Sequence, residues 1–304
     1  MAELAMRPLS VGEILDRSVA LLRTKFGALL LVGLACFVIP IFLAVGSMAN
    51  FAQLAQMAPA TQTGAQVDLA LRMLGRFFWV GLVAFCGFVV ARGACVHLVS
   101  EAILGRDAGA GSALRRGVAT ALPMAGLSLL EGAIFFGVYI GLAVPTAVIV
   151  STVFRGTPMY SVLLVAVVVL GGVALVAWIY AGLYVAASAL VLDSPTGVMH
   201  ALSHSWALCL GRRGAVLLII FVLAVFGLIV QLAVTFGLGT FGSTVGVGPQ
   251  AMGPMALLSI GLTGLFQIVL GILGYVIQTV MYYDLRVRKE GLDLELMAGA
   301  MGQA

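Results

Sequence analysis

Six apolar runs divide the chain, each long enough to cross a hydrocarbon core about 30 Å thick, which takes roughly 20 residues of helix. They cover about 26–48, 77–100, 122–150, 160–192, 215–240 and 255–283. The fourth is too long for an upright helix, because at about 1.5 Å per residue it spans more than about 40 Å. It is expected to tilt, to bend near Gly171-Gly172 or to run into the interface. The remaining stretches are short and mixed in character. Residues 50–76 are rich in Ala and Gln, with a short amphipathic helix expected over 65–76, and 237–254 is Gly-rich with no regular structure expected. The pattern predicts an all-α polytopic membrane protein: one six-span domain over 1–304, ending in a tail from 284 to 304.

The polar stretches on one side carry helical signatures of their own. Ser10 and Glu13 have the S-x-x-E spacing of a capping box. Val11, Ile14, Leu15, Val19 and Leu22 then recur on one helical face, while Glu13, Asp16, Arg17 and Arg23 lie elsewhere. An amphipathic interfacial helix is therefore expected over 10–25. A second is expected to begin at Ser194-Pro195 and to end at Gly211, before Arg212-Arg213. These stretches resemble one another. Leu15 through Leu21 matches Leu202 through Leu208, and Gly27-Ala28 then meets Gly214-Ala215 without a gap. More loosely, Leu114, Ala119 and Gly126 occupy the positions of Leu15, Ala20 and Gly27. The expectation is a three-fold repeat, each copy an interfacial helix followed by two spans.

Composition agrees with this pattern. Hydrophobic residues make up 62% of the 304 positions and charged residues 9%, against roughly 25% charged in a soluble domain. A surface so poor in charge needs a non-aqueous solvent. The net charge of +4 is too small to argue for nucleic acid, and its distribution is the informative part. Arg7, Arg17, Arg23, Lys25, Arg106, Arg115, Arg116, Arg212, Arg213, Arg286, Arg288 and Lys289 fall on one side of the spans, and only Arg72, Arg76 and Arg155 on the other. By the positive-inside rule both termini are expected in the cytoplasm. The opening segment does not read as a secretory signal, since about 25 residues of both charge signs precede an apolar run of about 20.

Several polar residues fall inside the runs. Arg92 and Glu131 lie at similar depth in adjacent antiparallel spans, so an intramembrane ion pair is expected; either charge alone costs several kcal/mol in hydrocarbon. It reads as a structural bridge or as a proton- or substrate-sensing site. Gln267, Gly271, Gly274, Gln278 and Tyr282 share one face of the sixth span, as a helix-packing seam or a cavity lining. Gly137 and Gly141 form a further small-residue contact candidate. His97, His200 and His204 do not make a site and are expected to be exposed at the interface. Cys36, Cys86, Cys95 and Cys209 lack ligand spacing and read as buried small hydrophobes. There is no nucleotide loop, no nucleophile elbow and no acid cluster, so neither metal nor cofactor is expected.

Two stretches carry a resemblance. Arg7-Pro8-Leu9-Ser10-Val11-Gly12-Glu13-Ile14-Leu15-Asp16-Arg17 opens the chain, and Tyr282-Tyr283-Asp284-Leu285-Arg286-Val287-Arg288-Lys289-Glu290-Gly291-Leu292-Asp293 closes it. Together they resemble a bacterial family named after the membrane domain of glycerophosphodiester phosphodiesterases. The resemblance implies a six-span membrane domain. About 20 residues follow the sixth span, so the phosphodiesterase activity is not carried over. A contact is expected between the two ends, with Glu13 and Asp16 meeting Arg286 and Arg288. The expected role is a non-enzymatic scaffold or accessory subunit organising lipid, a protein partner or a second copy. The alternative is a small-solute or lipid transporter or channel built on Arg92 and Glu131.

Overall fold

Hydrocarbon offers no hydrogen-bonding partner, so a segment crossing it must satisfy its backbone internally, as an α-helix does. The computed structural model of this chain follows that rule. It describes residues 9–57, 63–153, 158–193, 197–244 and 252–291, and among them there is no β-strand. The helices are α1 (Val11–Thr24), α2 (Phe26–Met57), α3 (Thr63–Ile103), α4 (Ala110–Ala119), α5 (Ala121–Thr152), α6 (Pro158–Leu183), α7 (Ala186–Leu192), α8 (Val198–Cys209), α9 (Arg213–Thr244) and α10 (Met252–Glu290). Six segments are long and apolar enough to cross a membrane: α2, α3, α5, α6 with α7, α9 and α10. The protein is an all-α polytopic membrane protein.

The helices outrun the apolar runs that predict them. The amphipathic stretch at 65–76 is not separate but forms the first turns of α3. The glycine-rich stretch at 237–254 is helical at both ends, up to Thr244 and again from Met252, and its centre lies outside the described residues. Residues 284–290 are not tail but the last two turns of α10. The Ser194-Pro195 start also lies outside the described residues; α8 begins after Gly197, which caps it without a side-chain bond. At Gly211 the backbone turns to φ +87°, the left-handed conformation that glycine adopts without steric cost.

Three short helices, α1, α4 and α8, bury a matching pair of positions one turn apart. They are Ile14 and Ser18 on α1, Ala113 and Gly117 on α4, and Ala201 and Ser205 on α8. On α4 and α8 the second of these faces a backbone carbonyl of a preceding long helix. A Cβ on Gly117 would stand 2.5 Å from the Val90 carbonyl oxygen, and the Ser205 hydroxyl donates to the Gly182 carbonyl at 3.0 Å.

Contacts divide the chain into two compact units. The first takes in Leu122–Phe221 with the described parts of Met1–Ile14 and Gln278–Ala304; the second takes in Leu15–Ala121 and Val222–Ile277. In the second unit α2 and α3 pack backbone to backbone. A Cβ on Gly87 would lie 2.2 Å from the Cys36 carbonyl oxygen, so only glycine allows the approach. Lys25, at the end of α1, pairs with Asp107 after α3, and that partner holds the exposed Asp107 carboxyl below the usual carboxylate range.

In the first unit the fourth apolar run is interrupted, and the interruption is not at Gly171-Gly172. Those glycines sit inside continuous α6, and the helix breaks at Tyr184-Val185. Every residue from Ala181 to Val191 is buried. A break there frees backbone groups that lipid cannot satisfy, so side chains must do so. Ser205 serves the Gly182 carbonyl, and the Gln278 amide serves the Tyr184 carbonyl. A glycine pair in an apolar run has no such partners to receive it, which is why the length mismatch is absorbed thirteen residues later.

Candidate functional site

A dense polar constellation lies in the first unit, where α7 ends, α8 runs past and α10 closes. Tyr282, Arg286 and Glu290 are spaced four apart and share one face of α10. Asp193 follows α7, and His204 lies on α8. The Tyr282 hydroxyl donates to Asp193 Oδ1 at 2.5 Å, and Arg286 Nη1 reaches the same oxygen at 3.4 Å. Asp193 Oδ2 faces His204 Nδ1 at 2.8 Å, and His204 Nε2 faces Glu290 Oε1 at 2.6 Å. Arg286 Nε donates to Glu290 Oε2 at 2.6 Å, which closes a ring of two acids, a histidine and an arginine. Both imidazole nitrogens face carboxylate oxygens.

A second chain of bonds sits beside it on α10. The Asp284 side chain is fully buried and takes Arg288 Nε at 2.9 Å, with Arg212 Nη2 at 3.8 Å. The Leu9 backbone N–H donates to Asp284 Oδ1 at 2.7 Å, and Arg288 Nη2 donates to the Leu9 carbonyl at 2.6 Å. Lys289 donates to the carbonyls of Ala207 and Leu210, capping the C-terminal end of α8. The two ends of the chain therefore meet through the backbone of Leu9. Glu13 serves its own helix: its Oε2 accepts the Ser10 N–H at 2.7 Å, and its N–H reaches Ser10 Oγ at 3.3 Å, completing the capping box. Asp16 is exposed on α1, in the second unit.

The first unit also holds a caged cation. Arg213, at the start of α9, is buried, and its guanidinium lies 4.0 Å from the Trp178 ring and 3.9 Å from the Trp206 ring. The indoles meet edge to face at 5.4 Å. Nε and Nη2 of Arg213 have no hydrogen-bond partner among the described residues, so aromatic faces on both sides supply the compensation a buried cation needs. Gly182 makes room for this: a Cβ there would stand 2.5 Å from Trp206. Cys209 is buried nearby, and burial pushes its thiol up to about 11.

The residues singled out by sequence meet varied fates. Arg92 is buried in the second unit with its guanidinium 6.0 Å from the Phe88 ring, and Glu131 is half-buried in the first unit. The sixth-span stripe divides by task. Gln278 and Tyr282 are buried and bonded in the first unit, while Gln267 and Gly271 line a cavity in the second. His204 departs from the expectation of an exposed histidine, because acids 11 residues before it and 86 after it converge on its ring. The sequence signal available was the four-residue spacing of Tyr282, Arg286 and Glu290. Cys86 is exposed on α3 rather than buried, and Cys36 is half-buried. Gly137 and Gly141 have open space beside them. No group of three metal-ligating side chains is placed to hold an ion among the described residues. Searches for similar proteins return no matching family model, curated protein or solved structure.

Proposed function

We propose that this chain is a non-enzymatic membrane module, a scaffold or accessory subunit resident in a bacterial inner membrane with its basic end in the cytoplasm. The observation that carries the reading is the use made of the charged residues in the first unit. Asp193, His204, Glu290, Arg286, Asp284 and Arg288 bond to one another and to backbone. Such a cluster fixes helix ends and stands ready for no substrate. The most apolar stretch of α5 has no buried residue, and that of α6 almost none. Those two helices offer an apolar surface to lipid, to a partner helix or to a second copy.

The three-fold repeat belongs to the same reading. The order short, long, long recurs with α1, α4 and α8 as the short members. Aligning Leu15, Leu114 and Leu202 places Ile14, Ala113 and Ala201 together, and likewise Ser18, Gly117 and Ser205. Both members of each pair are buried on all three helices. The resemblance to the membrane domain of glycerophosphodiester phosphodiesterases accords with a membrane module that works alongside another protein or domain.

The test is site-directed crosslinking in native membranes from single cysteines on the exposed face of α5, for instance Val144→Cys. The expected outcome is a discrete adduct with one partner or with a second copy. Absence of any adduct, together with solute flux in proteoliposomes of the purified protein, defeats the scaffold reading. Transport is the second reading, favoured by the interrupted helix at Tyr184-Val185, since broken helices line many transporter sites. It requires Ser205 and Gln278 to release the carbonyls they hold, so Gln278→Leu should alter flux in a transporter and only stability in a scaffold.

A further inference from the structure

The second unit holds a cavity of about 290 Å³ between α2, α3 and α10. Phe37, Phe88 and Tyr275 supply aromatic wall, and the rest is aliphatic or glycine, with the Gln267 amide and the Tyr275 hydroxyl as the polar groups. Phe37 stands eleven residues into α2, about 16 Å of helix from Phe26. The cavity is therefore near the middle of a core about 30 Å thick, and whatever fills it arrives through the bilayer. Gln267 is exposed on α10, and its amide has no hydrogen-bond partner among the described residues. An amide left unbonded in hydrocarbon is costly. The same cavity contains one place where the wall is held back: a Cβ on Gly271 would meet nothing within 4 Å.

We infer that this cavity binds a neutral, membrane-dissolved lipid that carries a carbonyl or hydroxyl oxygen. The hydrocarbon of that lipid lies against Phe37, Phe88 and Tyr275, and its oxygen accepts from the Gln267 amide. A phospholipid fits the site poorly, because its charged headgroup is pinned at the interface while the amide sits at mid-membrane. A pocket at the lower end of ordinary ligand-site volumes, apolar with few polar groups, is the usual build of a small-molecule site.

The experiment uses the full chain in vesicles of phosphatidylethanolamine and phosphatidylglycerol, with two photoactivatable probes bearing the same labelled acyl chain: a diacylglycerol and a phosphatidylethanolamine. The diacylglycerol probe is expected to label residues 33–41 and 264–275 saturably. Gly271→Leu projects a side chain into the open space and should cut that labelling at least about fivefold with the unfolding temperature unchanged. Gln267→Leu removes one hydrogen bond and should raise the half-saturating probe fraction about three- to tenfold; it serves as the deciding variant if Gly271→Leu does not fold. Equal labelling by both probes, or labelling that neither saturates nor responds to either substitution, means ordinary surrounding lipid and overturns the inference. So does a loss of oligomer mass in Gln267→Leu without diacylglycerol labelling, which assigns the amide to a second copy.

Discussion

Gly182 shows how one missing methyl organises a site. Trp206 occupies the space a side chain would take, and the indole in turn covers Arg213. Gly182→Ala should destabilise the protein by about 1–3 kcal/mol through overpacking, measured as a lower unfolding temperature in detergent. The ring around His204 makes a second prediction. Asp193→Asn leaves Arg286 and His204 short of an anion and should cost about 2–3 kcal/mol. Arg286→Gln in the Asp193→Asn background should then cost less than it does alone, and additive losses would deny the coupling. Cys209 makes a third. With burial holding its thiol near 11, roughly one in ten thousand is ionised at pH 7. Alkylation of the folded protein should be slow and should accelerate about tenfold per pH unit up to that value. At this scale the sequence is legible only where partners are close along the chain. Ser10 and Glu13 stand three residues apart, and their capping box could be read directly. His204 was misread because its partners, Asp193 and Glu290, come from segments that only the folded chain brings together.

Among elements, the break between α6 and α7 is the feature with the most consequence. The helix gives up its bonds at Tyr184-Val185 because Gln278 and Ser205 stand ready to replace them. Gln278→Leu should leave the Tyr184 carbonyl buried and unserved, at a cost of about 1–3 kcal/mol, detectable as earlier loss of helical signal on heating. The exposed Gln267 on the same helix offers the control, since its replacement should leave that temperature unchanged. The six long helices could be read from apolar length alone, because hydrocarbon thickness imposes it. Their ends could not, since helix continues into α3 and α10 through residues of mixed polarity where no composition change marks a boundary. The place of the break was equally hidden: Gly171-Gly172 is the weaker helix former, yet the tertiary bonds lie elsewhere.

For the whole molecule, composition was enough to assign a polytopic membrane protein, because 9% charge cannot cover a soluble surface. The division into two units was not legible, since α1, α9 and α10 each contribute residues to both. Orientation is a prediction at this scale. A reporter fused after Ala304 should be active only when its activity requires the cytoplasm, as the distribution of basic residues requires. The double-tryptophan cage has an optical consequence. The chain has three tryptophans; two of them flank Arg213 in the first unit, and the third, Trp79, is exposed on α3 in the second. Intrinsic ultraviolet emission from this protein is thus divided by unit. Replacing Trp79 with phenylalanine would leave a native fluorophore pair that reports the first unit alone, so the order in which the two units melt can be read without attaching a dye.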